Sequence, residues 1–312
     1  MRISSSLLTD NLLSQMNQLQ SQQIQLQNQA TTGLKVSLPE DDPAAMNQVL
    51  DLQSQAASNT QYQSNITQLQ STATTAATAM NSLQTITEQA GEIATEAGGV
   101  NSSSQLASYA TQVGSLIQEA LQAANTQDAQ GNYIFGGTIN NKPPFFATTD
   151  SSGNVTAVAY KGNTGQSQTP VGAGQTVSAQ VPGANTTGSG PAGLLADSAS
   201  GADLFRDLIS LQQNLSSGNT AAITSTDSPN LTTDENNIVS GIAANGVLQS
   251  TLESAGAAAT QLDTGITTQT SNLTSADLAT TLTKLDQTQT AYQAAMQSGV
   301  MIMNLSILNY IQ

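Results

Sequence analysis

Two complementary apolar seams, one at each end of the chain, limit its fold more than any other feature. Toward the C-terminus Leu278, Leu282, Leu285, Tyr292, Met296, Val300, Met303, Ile307 and Tyr310 follow at heptad-like spacing, with Gln289 in the one polar slot. That spacing keeps a single face of an α-helix apolar, as in a coiled coil. The N-terminal end repeats the pattern with Leu8, Leu12, Met16, Leu19, Gln23, Leu26 and Ala30. A lone helix of this length, rich in Gln, Ser and Thr, is marginal in water. Each seam therefore needs a partner, and the other seam matches it in length. The expected fold is mainly α: a long antiparallel helical bundle or coiled coil made of the N- and C-terminal segments, with a small inserted β domain.

Composition supports thin aliphatic cores. Of 312 residues 38% are hydrophobic and only 3% aromatic, a balance suited to bundles rather than to a large globular core. Six Lys and Arg against twenty-one Asp and Glu leave a net charge of -15, which argues against nucleic acid and anionic membrane surfaces, since both need clustered cations. The chain has no Cys and no His; disulfides, thiolate chemistry and the commonest metal ligands are excluded, and no cofactor is expected. Arg2 is followed by no apolar signal region, because Ser4 to Ser6, Thr9, Asp10 and Asn11 interrupt it, so no cleaved signal peptide is expected. No apolar run approaches the ~20 residues of a membrane span.

Read in order, the first helix is expected from about Ser4 to Ala30, stopped at Thr31-Thr32-Gly33. In Pro39-Glu40-Asp41-Asp42-Pro43, Asp42 reads as a helix cap and Pro43 as the first helical residue. The helix so begun carries Ile66, Leu69, Ala73, Ala76, Met80, Leu83, Ile86, Ala90, Ile93 and Ala97, and Gly98-Gly99 ends it. A second helix, about Ser104 to Ala124, would fold back on it. From Gly131 prolines, turn dipeptides and alternations such as Val155, Ala157 predict an antiparallel β unit. Residues 184–202, rich in Gly, Ala and Ser, read as a linker with few core contacts, so that the insertion should be dispensable to the helices. A short amphipathic helix follows at Leu204, Phe205, Leu208, Ile209, Leu211 and Leu215, and helix returns from about Thr233, with Gly241, Gly246, Gly256 and Gly265 as weak points. The domains expected are 1–35 with 275–312, 36–137 with 203–274, and 138–202.

Catalytic candidates are few. Asp203 with Asp207, and Asp234 with Glu235, sit at expected helix starts, where acids are favoured by the helix dipole; a structural role outweighs acid–base catalysis, and no enzyme is expected. Met16, Met80, Met296 and Met303 lie on seams and read as packing residues.

Several motifs carry a resemblance. Met1-Arg2-Ile3-Ser4, Thr32-Gly33-Leu34-Lys35-Val36 before Pro39-Glu40-Asp41-Asp42-Pro43, GNYIFGGT at 131–138 with Pro144-Phe145, Tyr160-Lys161-Gly162-Asn163, Tyr292-Gln293-Ala294-Ala295 and LSILNYI at 305–311 resemble, in order, the flagellar hook-filament junction family (FlgL type), a relative of flagellin. The resemblance implies an extracellular structural protein of the bacterial flagellum, exported without a cleaved signal. Its implied partners are a hook-side junction protein, flagellin, copies of itself in a ring, and an export chaperone on the C-terminal region. The expected assembly interface is then Leu8, Leu12, Met16, Leu19 and Leu26 with Leu282, Leu285, Tyr292, Met296, Val300, Met303 and Ile307. A flagellin-type filament subunit, or a coiled-coil adhesin or fibre protein, would share much of this pattern.

Overall fold

The computed structural model describes the backbone of residues 2–311 and side chains of residues 10–301. Three helices come first: α1 (Arg2–Thr32), α2 (Pro43–Ala97) and α3 (Ser103–Ala124). Seven short strands follow: β1 (Phe145–Thr149), β2 (Val155–Tyr160), β3 (Thr169–Gly172), β4 (Gln175–Val177), β5 (Ala184–Asn185), β6 (Ala196–Asp197) and β7 (Ala202–Asp203). The chain then returns through α4 (Leu204–Ser217), α5 (Thr220–Ala222), a π-helical turn (Ile223–Asp227), α6 (Ser228–Thr274) and α7 (Leu278–Ile311). It is mainly helical with a small β insertion. Two compact units form, Met1–Ser58 with Leu262–Gln312, and Asn59–Gln261.

In the first unit α1 packs on α7. Gly33, at φ 71°, ends α1, and the connector after it pairs with the break between α6 and α7: Lys35 N donates to Thr274 O at 2.7 Å and Ala276 N to Gly33 O at 2.8 Å. Residue 12 lies near residue 299 and residue 35 near residue 274, so the two helices run antiparallel. Asp42 Oδ1 accepts from Ala44 N and Ala45 N, both at 3.0 Å, which is the cap expected before Pro43. Asp41 instead ties the preceding turn, its Oδ2 accepting from Ser37 N and Leu38 N; those bonds hold its carboxyl below the usual range.

The returning helix breaks where the glycines do not predict. α6 runs through Gly241, Gly246, Gly256 and Gly265, and ends at Thr274. One glycine weakens a helix by about 1 kcal/mol, less than packing of the surrounding turns supplies. At the break Thr274 O and Ala276 N are hydrogen-bonded to the connector, and Asp277 Oδ1 accepts from Ala279 N at 3.1 Å to restart the helix.

The second unit has its main core between α2, α3, α4 and α6, filled by Met80, Leu83, Ile117, Leu204, Leu208, Leu211 and Ile238. α3 starts with a capping box between Ser102 and Gln105. Along α2 and α6, Asn59 Nδ2 donates to Ala259 O at 2.8 Å and Asn245 Nδ2 to Ala73 O at 2.9 Å, which sets these helices antiparallel in one register. A smaller core there joins Ile66, Leu69 and Ala73 to Leu252, Ala255 and Ala259, with Val171 and Ala179 from the insertion.

The β region is three small sheets rather than one antiparallel unit: β1–β2 and β3–β4 are antiparallel hairpins, and β5–β6–β7 is mixed, with β5 parallel to β6. The expectation of few core contacts over 184–202 is corrected here. Leu194 and Leu195 are 3% and 1% exposed and join the main core, as do Phe145 and Val155. Small residues on either side make the segment look like a linker, yet two leucines anchor it, and Leu204 N donates to Leu195 O at 2.9 Å.

Candidate assembly surface

On α1 the sequence-derived register holds. Leu12, Met16, Leu19 and Gln23 are half-buried and Leu26 is buried, while Leu13 and Ile24 face solvent. On α7 the inward face lies one position aside from the expected seam. The positions withdrawn from solvent are Thr281, Leu285, Thr288, Gln289, Tyr292, Ala295 and Gly299, a set that shares Leu285, Gln289 and Tyr292 with the expected seam. Leu282, Met296 and Val300 are 52%, 45% and 57% exposed, with Leu278 and Met301 also exposed. Leu8, Met303 and Ile307 lie outside the described side chains.

The physical reason is size. Thr, Ala and Gly let two helices approach closely, and a Cβ on Gly299 would stand 3.0 Å from Leu12 Cδ2. Buried Thr288 is satisfied within its own helix, its Oγ1 donating to Lys284 O at 2.8 Å. The signal that could have found this face is the recurrence of small residues and threonines at steps of three and four beside the leucines. What remains outward on α7 is two apolar pairs, Leu278 with Leu282 and Met296 with Val300, separated by exposed Asp286, Thr290 and Gln293, on a helix already paired through its other face.

The acidic candidates are drawn into one cluster in the second unit. Asp203 caps α4, its Oδ1 accepting from Arg206 N at 3.3 Å. Buried Asp207 accepts from Arg206 Nε at 3.1 Å, Arg206 Nη2 at 3.2 Å and Asn230 Nδ2 at 3.1 Å. Asp234 Oδ1 accepts from Asp203 N at 2.7 Å. Burial, and then the neighbouring charge of Asp207, push the Asp234 carboxyl up to about 8; burial also raises Asp203, and the hydrogen bond to Asp207 raises Arg206. Glu235 is half-buried and adjoins the pair only in sequence. The polar contacts join α4, α6 and the strands before them. Among the described residues no group of three or more His, Cys, Asp or Glu could hold a metal ion.

Two quoted motifs interlock although they are far apart in sequence. Asn163 Oδ1 accepts from Thr138 N at 2.9 Å and from Gly165 N at 3.0 Å, and its Nδ2 donates to Thr138 Oγ1 at 2.8 Å. The Tyr160 hydroxyl lies 3.1 Å from Phe135 O and 3.0 Å from Asn163 O as a donor, and accepts from Gly183 N at 3.3 Å. Gly137 has φ 66°, and a Cβ there would run into Asn163 O. A further repeat escaped the sequence reading: Asp128-x-x-Gly131-Asn132 and Asp150-x-x-Gly153-Asn154 form the same turn, each Asp Oδ1 accepting from the amides two and four residues on.

Comparison with known proteins agrees with this architecture. Residues 3–140 match the family model for the bacterial flagellin N-terminal helical region. The chain is 30% identical over 150 residues to flagellar hook-associated protein 3 of Salmonella typhimurium, a match covering 48% of this chain and 47% of that one. It is also 30% identical over 146 residues to the Escherichia coli protein of the same name, covering 46% of each. These matches span about half the length of the relatives. Among solved structures, a putative flagellar hook-associated protein from Vibrio parahaemolyticus superposes with a TM-score of 0.64 at 19% identity, covering 75% of this chain and 100% of that one. FlgL of Bacillus cereus gives 0.56 at 16%, covering 71% and 99%. The fold is shared with these structures, and no described helix is long and apolar enough to cross a membrane.

Proposed function

We propose that this protein is a structural subunit joining the flagellar hook to the flagellin filament, and that it performs no catalysis. The observation that carries the reading is the two outward apolar pairs of α7, Leu278 with Leu282 and Met296 with Val300, on a helix whose other face is already used by α1. Isolated exposed leucines are ordinary, but large apolar residues grouped on the free face of a paired helix make a surface that neighbours would cover. The 30% identity to hook-associated protein 3 supports the choice of assembly. In this reading Leu8, Leu12, Met16, Leu19, Leu26, Leu282, Leu285, Tyr292, Met296, Val300, Met303 and Ile307 form the terminal assembly element. Leu282, Met296 and Val300 face other subunits, whereas Leu285 and Tyr292 stabilise the helix pair.

The neighbours are a hook-side junction protein, flagellin and further copies of this chain in a ring. An export chaperone covers the C-terminal region before assembly, and the protein reaches the cell exterior through the flagellar export route. The test is Val300→Asp in a strain that depends on this protein. The expected result is a folded, exported subunit that cannot retain filaments, so that flagellin collects in the medium. Attached filaments of normal length would refute the interface. A filament-subunit reading draws on the flagellin family match over residues 3–140; growth of the purified chain into long filaments would favour it over a junction role.

A further inference from the structure

The carboxyl of Asp234 has no part in that assembly reading. Asp234 is 1% exposed, and among the described residues its Oδ2 has no hydrogen-bond partner. Three residues on, Asn237 Nδ2 donates to Gly193 O and Leu194 O, both at 2.8 Å, and Ser200 Oγ lies 3.1 Å from Asn237 Oδ1 as its donor. With the bond from Asp203 N to Asp234 Oδ1 at 2.7 Å, these two side chains on α6 hold residues 184–203 by their backbone and by Ser200. The charged groups around Asp234 are Asp203, Arg206 and Asp207 at the start of α4; Glu235 follows on α6 and Asp197 stands on β6. Arg206 is committed elsewhere. Its side chain is 60% exposed and its ion pairs, among the described residues, are to Asp207 at 3.1 Å and Asp203 at 3.7 Å.

We propose that Asp234 is held as the neutral acid and that its proton is a latch keeping residues 184–203 docked on α6. Ionisation would place a second carboxylate beside Asp207, in a site that gives Oδ2 no donor, and a buried charge without a donor is far costlier than a buried neutral hydroxyl. Burial and Asp207 together raise the group from its ordinary 3.8 to about 8. Because the folded value lies above the unfolded one, the stabilisation is fully present below about pH 4 and is lost as pH rises through about 8. The device is therefore tightest in acid, loosens progressively through neutral pH and is weakest above about pH 8.

Limited proteolysis of the full chain at pH 6 and pH 9, normalised to an unstructured peptide, tests this. Cleavage within 184–203 should rise by up to about a hundredfold between the two conditions, since each pH unit between 3.8 and about 8 weakens the latch by up to tenfold and no further weakening follows above the folded value. In Asp234→Asn the amide oxygen still accepts from Asp203 N and no charge can form, so cleavage should be slow at both pH values. Equal cleavage of the native chain at both pH values would overturn the latch, as would a pH-dependent rise that persists in the variant. Should the variant not fold, carbon-13 titration of the native aspartate carboxyls decides: one titrating near 8 supports the latch, and all titrating below pH 5 overturns it.

Discussion

Gly137 and Gly91 separate two uses of the same residue. Gly137 sits at φ 66° with Asn163 O where a Cβ would project, so Gly137→Ala should cost about 1–3 kcal/mol. Gly91 lies inside α2 with nothing within 4 Å of a would-be Cβ, so Gly91→Ala should stabilise by about 1 kcal/mol. Urea denaturation followed by circular dichroism should give these opposite signs; a loss for both would mean that Gly91 is confined by something other than its helix. Tyr160→Phe removes a hydroxyl that bonds to Phe135 or Asn163 and accepts from Gly183, at an expected cost of about 1–2 kcal/mol. The motif residues could be picked out from the sequence, but their joint purpose could not. Tyr160 and Asn163 reach back 25 residues to Phe135 and Thr138, a separation that local propensity does not encode.

At the level of elements, each helix was legible where its inward face is made of large apolar residues. The seam of α1 follows Leu12, Met16, Leu19 and Leu26, and the seam of α2 follows Ile66 to Ala97, as periodicity requires. For α7 periodicity chose a neighbouring face, because Thr281, Thr288, Ala295 and Gly299 hold the inward positions while larger apolar residues stay outside. A consequence can be measured. Leu285→Asp should lower the melting temperature of the terminal helix pair, whereas Val300→Asp should change stability by about 0.5 kcal/mol or less. A large loss in the second variant would place Val300 in the intrachain contact. Between α2 and α6, Asn245 is 3% exposed and donates to Ala73 O. Asn245→Asp keeps the shape but turns the donor into a buried acceptor facing a carbonyl. It should destabilise by about 3–5 kcal/mol at neutral pH, less in acid, where protonation restores a donor. Thermal melts at pH 4 and pH 7 would show whether the loss is electrostatic; an equal loss at both would point to packing.

For the molecule as a whole, deletion of residues 138–200 tests whether the β region is an appendage. Phe145, Val155, Leu194 and Leu195 belong to the main core of the second unit, and removing a buried large side chain typically costs about 2–5 kcal/mol. The deletion should therefore abolish the cooperative melting transition of that unit; an unchanged transition would restore the appendage picture. The sequence by itself determined the mainly helical class, the antiparallel return of the two ends, the cap at Asp42 and the interruption by short strands, because heptad spacing, caps and turn residues act within a few neighbours of one another. Tertiary structure alone decided which face of α7 is covered, where the returning helix breaks, that Asp203, Asp207 and Asp234 share one site, and that residues 184–202 are anchored in the core. Each of these depends on which distant surface arrives, and in a chain so rich in Thr, Ser, Gln and Ala the difference between competing faces is only a few methyl groups.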